Sequence, residues 1–198
     1  SLLFCKFSAF TVEKELRHIY NRKRRRFIMK KLFLHSCCGP CSTHVIDLLS
    51  KEYDLTVFYY NPNILPESEY LHRKAEQERF IKEYSEKTGV HISYIEGDYL
   101  PETFLSLAKG RENEREGGER CKICMAHRMD VTAAAAKAGG YDIFCTTLSV
   151  SPYKPAAFLN ETGKMLSEKY GIEYLTADFK KKDGYKHSVE MSKEYGLY

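Results

Sequence analysis

Short apolar runs alternate with amphipathic stretches along this chain. Lys31-Leu32-Phe33-Leu34 is a compact apolar run, too short for a helix, and reads as a buried strand. Cys37 to Gly39 makes the turn after it. Pro40 suits the first position of a helix, where its missing N–H would be unpaired anyway. Val45, Ile46, Leu48 and Leu49 give that helix its apolar face. Leu55 to Tyr60 is a second strand, stopped by Asn61-Pro62-Asn63. Pro66-Glu67-Ser68-Glu69 opens a charged helix reaching about Lys87, and Thr88-Gly89 ends it. His91 to Ile95 is a third strand, and Pro101-Glu102 begins a helix that reaches Gly110. Residues 111–120 are polar, contain Gly117-Gly118, and read as a mobile loop. The next helix starts at Cys121 and runs through Ala133 to Ala136 as far as Gly139-Gly140. Ile143 to Leu148 is the fourth strand, with Ser151-Pro152-Tyr153-Lys154-Pro155 as its exit loop. A helix over 156–169, a fifth strand over Ile172 to Thr176, a basic turn at Lys180 to Gly184 and a last helix near Tyr185 complete the pattern.

Strands alternating with helices predict an α/β fold: a doubly wound parallel five-stranded sheet covered on both faces. A strand order of 3-2-1-4-5 puts the switch point between the first and fourth strands. Ligands in such sheets bind there, beyond the carboxyl ends of the strands. The exit loops at that point are Cys37 to Cys41 and Ser149 to Lys154.

Composition adds little to the fold and something to the setting. With 198 residues, 43% apolar and 29% charged, one globular domain over residues 29–198 is the expectation. No run reaches the ~18 apolar residues of a membrane span, and residues 1–10 lack a basic leader and a cleavage site. A cytoplasmic protein is expected, with no membrane partner. Residues 1–28 carry eight Lys/Arg against two Glu, hence +6, which leaves −2 of the overall +4 for the rest. This basic extension, densest at Arg22-Lys23-Arg24-Arg25-Arg26, is either a helix-forming arm that neutralises phosphates or a solvated flank.

The thiols change the picture most. Cys37, Cys38 and Cys41 fall within five residues, and Cys121 and Cys124 form a second pair, so five of seven cysteines are clustered. In a reducing compartment such clusters mean metal or redox chemistry rather than disulfides. Cys41 and Cys121 open helices, where the dipole and free N–H groups favour a thiolate. Four thiolates complete a [4Fe–4S] cluster and leave one for a second metal, for substrate or for electron relay. The same number makes a structural zinc site, although an adjacent Cys37-Cys38 pair is unusual there. A thiol redox pair needs only one motif. Spacing leaves these three open. Cys145, in mid-strand, reads as a core residue.

The motifs together resemble the epoxyqueuosine reductases of the QueH family. The matching pieces are Leu34 to Ser42, Tyr60 to Ile64, Glu69-Tyr70 with Arg73, Gly118 to Cys121 with Cys124, Arg128, Thr146 to Leu148, Ser151 to Lys154, and Asp178 to Lys180. They are collinear over about residues 30–198; residues 1–28 lie outside the resemblance. It implies reduction of the epoxide of epoxyqueuosine to the alkene at the tRNA wobble position, the last step of queuosine synthesis. It implies a [4Fe–4S] cluster, an additional mononuclear iron, no cobalamin, and an external electron donor. It implies a fold like that of the adenine-nucleotide hydrolases (HUP-like), with the cysteine loop where ATP-using relatives carry a phosphate loop. It also implies a further segment beyond Tyr198, bearing a Cys-Gly-Cys, which these 198 residues do not include.

On this reading Cys37, Cys38, Cys41, Cys121 and Cys124 are the metal ligands. Asp98 is a candidate acid or ligand, and His35 a candidate proton donor. Tyr60, Asn61, Asn63, Ser151 and Tyr153 are candidates for the base pocket, and Arg120, Arg128 and Lys154 for phosphates. A flipped or splayed anticodon-loop nucleotide would be presented to them. Two other functions remain compatible with the thiols: a zinc-stabilised RNA-binding module without catalysis, and a tRNA sulfur-transfer enzyme.

Overall fold

The computed structural model describes residues 29–197; the basic stretch 1–28 and Cys5 lie outside the described residues. Five strands form one all-parallel sheet: β1 (Lys31–Ser36), β2 (Asp54–Tyr59), β3 (Ser93–Glu96), β4 (Ile143–Thr146) and β5 (Glu173–Tyr174). Their order is β3-β2-β1-β4-β5, the doubly wound arrangement expected. The helices are α1 (Gly39–Leu49), α2 (Glu67–Thr88), α3 (Pro101–Ala108), α4 (Glu119–Ala138), α5 (Ala156–Tyr170) and α6 (Gly184–Glu194).

Alternation along β1 sorts the two cores. Leu32 and Leu34 face Val45, Ile46 and Leu49 of α1 and Phe80, Ile81 and Tyr84 of α2, with Met191 of α6 and Tyr195 just after it against the same cluster. Phe33 faces the other way, onto Met125, Met129, Ala133 and Ala136 of α4 and Leu159 and Leu166 of α5. The apolar run therefore buries both faces of its strand, as a parallel sheet requires. The alanine block lets α4 lie close to the sheet, with Ala133 and Ala136 fully buried.

Three local differences from the sequence pattern have physical causes. Strand β4 ends at Thr146, not Leu148, because the Thr146 hydroxyl accepts from the Leu148 N–H (3.2 Å) and caps a 3-10 turn over Thr147–Val150. Helix α4 starts two residues early, at Glu119, since the Glu114 carboxylate accepts from the Arg120 N–H (2.7 Å) and satisfies a free donor of the first turn. Strand β5 is two residues long, because only Glu173 and Tyr174 reach β4 in register. No helix among the described residues is long and apolar enough to cross a membrane.

Candidate metal centre and substrate crevice

The carboxyl ends of β1 and β4 diverge around a crevice of about 380 Å³ lined by Cys37, Cys38, Cys41, Cys121 and Cys124. Both thiol clusters thus meet at the switch point, although 80 residues separate Cys41 from Cys121. The sulfurs of Cys37, Cys38 and Cys41 lie within 4.8 Å of one another, and those of Cys37 and Cys38 are 3.9 Å apart. Local backbone makes this grouping. Cys38 is the extended N-cap of α1 (φ −171°, ψ 163°), Pro40 sits in its first turn, and Cys41 follows in the same turn. The six described cysteines are all free thiols.

Neighbours differentiate the three thiols. Hydrogen bonds from Cys38 and then Cys41 hold the Cys37 thiol well below its usual range, against burial, with Lys154 and Arg128 adding positive charge. Donating to that thiolate, and lying buried beside it, pushes Cys38 up to about 12. Cys41 is raised for the same reasons, its bonds to Cys37 and Cys38 coming first. Charge on the Cys37 thiol therefore disfavours charge on the other two. A bound cation would release the remaining protons. The Thr147 hydroxyl also lies 3.8 Å from the Cys37 sulfur, and the Gly117 N–H donates to the Cys121 sulfur at 3.3 Å. Gly117 reaches it with φ +84°, a conformation that suits glycine. Cys121 and Cys124 occupy the first and second turns of α4, three residues apart, so they share a face. Thiols in this number, grouped at two helix starts and provided with N–H and hydroxyl donors, fit a thiolate-bound metal.

The remaining candidates divide by position. Asn61, Asn63, Arg120, Arg128, Tyr153 and Lys154 line the crevice. Tyr153 is 78% exposed at its rim. The buried Asn63 Oδ1 has no hydrogen-bond partner among the described residues. Asn61 is 1% exposed; its Nδ2 donates to the Ser36 carbonyl (2.9 Å) and its Oδ1 accepts from Arg128 Nη1 (3.2 Å). It ties the end of β1 to α4.

His35, Tyr60, Asp98 and Ser151 are not among the lining residues. His35 is fully buried, accepting from the Thr146 hydroxyl at Nδ1 (2.9 Å) and donating from Nε2 to the Tyr60 carbonyl (3.1 Å). Burial first, and then the Arg128 charge, lower its pKa to about 3. It is a neutral strut across β4, β1 and the β2 exit. Tyr60 buries its ring beside Phe58, and its hydroxyl hydrogen-bonds His127 Nε2 at 3.0 Å. Asp98 is exposed where β3 ends, and its charge helps burial raise the Tyr60 phenol. The Ser151 hydroxyl accepts from the Tyr153 N–H (3.3 Å), as a turn residue.

Six lining residues were not among the site candidates: Ile64, Arg73, Phe104, Glu116, Gly117 and Met125. Arg73 stands among the residues that carry the resemblance, and helical spacing adds a second signal for it. It lies four residues before the fully buried Gln77, on the face of α2 turned to the Cys38 loop. The segment before α4, expected to be mobile, carries its own bracing through the Arg111–Glu114 ion pair and Arg120 to the Glu112 carbonyl.

A doubly wound sheet with clustered thiols at its switch point defines an α/β protein whose Cys37, Cys38 and Cys41 could hold a metal ion. Comparison with known proteins narrows this. A sequence model described as "Epoxyqueuosine reductase QueH" matches residues 32–198. Proteins named epoxyqueuosine reductase QueH are similar throughout. That of Staphylococcus epidermidis is 41% identical over 94% of this chain and 79% of its own length. That of Staphylococcus aureus is 39% identical over 94% and 78%. That of Thermotoga maritima is 32% identical over 86% and 85%. The chain belongs to the QueH family.

Proposed function

We propose that this chain reduces epoxyqueuosine to queuosine in tRNA, an oxidoreductase reaction carried out in the thiol-lined crevice. The observation that carries the reading is the convergence of Cys37, Cys38, Cys41, Cys121 and Cys124 on one cavity at the switch point of the sheet. Loss of an epoxide oxygen is a two-electron, two-proton deoxygenation that leaves an alkene and water, so the reaction needs an external electron donor.

The five thiols are assigned to a [4Fe–4S] cluster and an adjacent mononuclear iron, with no cobalamin. Such iron, when bound, supplies electrons singly and a Lewis-acidic position. The protein's own groups do the rest. Phe104, Met125 and Ile64 give the crevice an apolar wall for the uncharged part of the modified base. Asn63 Oδ1, buried and unpartnered among the described residues, is an acceptor suited to a substrate hydroxyl or ammonium. Tyr153, exposed at the rim, is a stacking platform for a splayed anticodon-loop base. Arg120 and Lys154 lie beside it for the phosphates. Lys180 supports the β4 exit loop, its Nζ donating to the carbonyls of Ser149 (3.5 Å) and Lys154 (3.4 Å). His35 acts by position, joining the strand ends that carry Cys37 and Asn61. Asp98 and Tyr60 lie outside the crevice lining, with Tyr60 bonded to His127.

The test is to incubate the anaerobically prepared protein with tRNA containing epoxyqueuosine and a low-potential reductant, then to measure the nucleosides by mass spectrometry. Queuosine should replace epoxyqueuosine, with the mass falling by one oxygen. An unchanged nucleoside pool from a protein that carries its metal would refute the reading. If that protein instead holds zinc and binds tRNA, the non-catalytic RNA-binding module is correct.

A further inference from the structure

Arg128 stands on α4 in the crevice wall with only 4% of its surface exposed. Two of its five N–H groups are engaged: Nε donates to the Cys124 carbonyl (3.4 Å) and Nη1 to Asn61 Oδ1 (3.2 Å). Both acceptors are neutral. Among the described residues no carboxylate forms an ion pair with it. A buried cation with no carboxylate partner is costly, so its unbonded N–H groups favour an anion in the crevice, whether the neighbouring cysteine thiolates or charge developing on a bound substrate. A guanidinium this deep is poorly placed for phosphates running over the rim. The crevice offers Arg120 and Lys154, both less buried, for that work.

Asn61 makes the aim of Arg128 definite. Its Nδ2 is committed to the Ser36 carbonyl at 2.9 Å, so its oxygen must face Arg128. The guanidinium is thereby fixed at one edge, and its other N–H groups are left for the cavity that holds the thiols.

We propose that Arg128 is a catalytic residue whose free N–H groups grip the epoxide oxygen and stabilise the negative charge that grows there as the carbon–oxygen bonds break. The proposal rests on the reductase reading above. Two electrons come from an external one-electron carrier protein acting twice. Both carbon–oxygen bonds break, the carbon–carbon double bond forms, and two protons from solvent leave with the oxygen as water. Arg128 gives up no proton; it donates hydrogen bonds to an oxygen that is neutral in the substrate and anionic in the transition state. That difference is what accelerates a reaction.

The experiment compares wild type, Arg128→Met and Arg128→Lys on epoxyqueuosine-containing tRNA. It reads kcat, KM, tRNA affinity by filter binding, and iron per chain. Arg128→Met should lower kcat by roughly 100- to 1,000-fold, the loss typical of a removed oxyanion donor. KM and tRNA affinity should stay within about twofold, and iron content should not change. Arg128→Lys should fall between the two. A kcat for Arg128→Met within about threefold of wild type would overturn the proposal. So would a fall in tRNA affinity matching the fall in kcat/KM, which would make Arg128 a phosphate contact. Iron lost in proportion to activity would make it a counter-ion of the metal centre instead. Both hydrogen-bond acceptors that Arg128→Met leaves behind, Asn61 Oδ1 and the Cys124 carbonyl, are neutral, so the fold should survive. If Arg128→Met fails to fold, Arg128→Gln is read by the same criteria. A wild-type protein inactive on this tRNA would refute the reductase reading itself. An active wild type with an unimpaired Arg128→Met would refute only the role of Arg128.

Discussion

Asn61 joins three parts of the site, and deleting its amide should be felt in both stability and catalysis. The side chain is 1% exposed and makes two bonds, to the Ser36 carbonyl at 2.9 Å and from Arg128 at 3.2 Å. Asn61→Ala leaves both partners in place and buried. An unsatisfied buried partner costs about 1–3 kcal/mol, with more for a charged one. Arg128 keeps one bond to the Cys124 carbonyl, which limits its loss. The sum is about 3 kcal/mol, a large share of the ~5–15 kcal/mol available to a domain. With a urea m-value of about 2 kcal/mol/M, the unfolding midpoint should fall by about 1.5 M at unchanged m. The assay is urea denaturation followed by far-UV circular dichroism, on metal-free protein so that metal loss does not enter. In the loaded enzyme kcat should fall more than tRNA affinity, because Arg128 loses its aim. A midpoint shift below about 0.4 M would mean that water replaces both bonds. The claim that Asn61 braces the crevice would then fail.

Further expectations follow from other residues. His35 is neutral when folded and free to protonate when unfolded, its pKa falling from 6.5 to about 3 on folding. Its contribution to stability is therefore complete above pH 6.5 and is lost progressively as pH drops toward 3. Between pH 7 and 5 the loss is about 2 kcal/mol. His35→Gln, which can keep both hydrogen bonds, should flatten the dependence of the urea midpoint on pH relative to wild type; parallel curves would contradict this. Gly184→Ala should destabilise by at least 1–3 kcal/mol, because its methyl carbon would fall 1.9 Å from the Phe179 carbonyl oxygen; an unchanged melting temperature would refute that packing. Cysteine variants should separate by position. Alanine at Cys37, Cys38, Cys41, Cys121 or Cys124 should each reduce the metal bound. Cys145→Ala should retain it, since that thiol is buried in β4 beside the Leu175 carbonyl. Metal loss in the Cys145 variant alone would contradict the assignment.

The fold was largely legible because each strand is a short apolar run between turn residues and helix starts. Parallel β1 shows its two buried faces directly in Leu32-Phe33-Leu34. What escaped the pattern depended on single side chains satisfying backbone groups: Thr146 ending β4, and Glu114 starting α4 early. The thiols were legible for a similar reason. Helix starts and strand ends are local features, and the fold then puts Cys121 and Cys41 in the lining of one crevice. The polar candidates were harder. Asn61 and Asn63 entered the crevice, while Tyr60, between them and His35, turned its ring away to pack on Phe58. A turn reverses side-chain direction from one residue to the next, and periodicity says nothing there. The burial of Arg128 was equally hidden, because a charged helix residue reads as solvated until the neighbouring element is known.

Everything functional in this account depends on the five thiols holding iron. The most direct measurement is the iron content and visible spectrum of protein purified without oxygen, before and after dithionite. The expected result is a brown protein with at least about four irons per chain and broad visible absorption that bleaches on reduction. A colourless protein with about one zinc per chain would contradict it, and would leave a thiolate-zinc fold in place of a reductase.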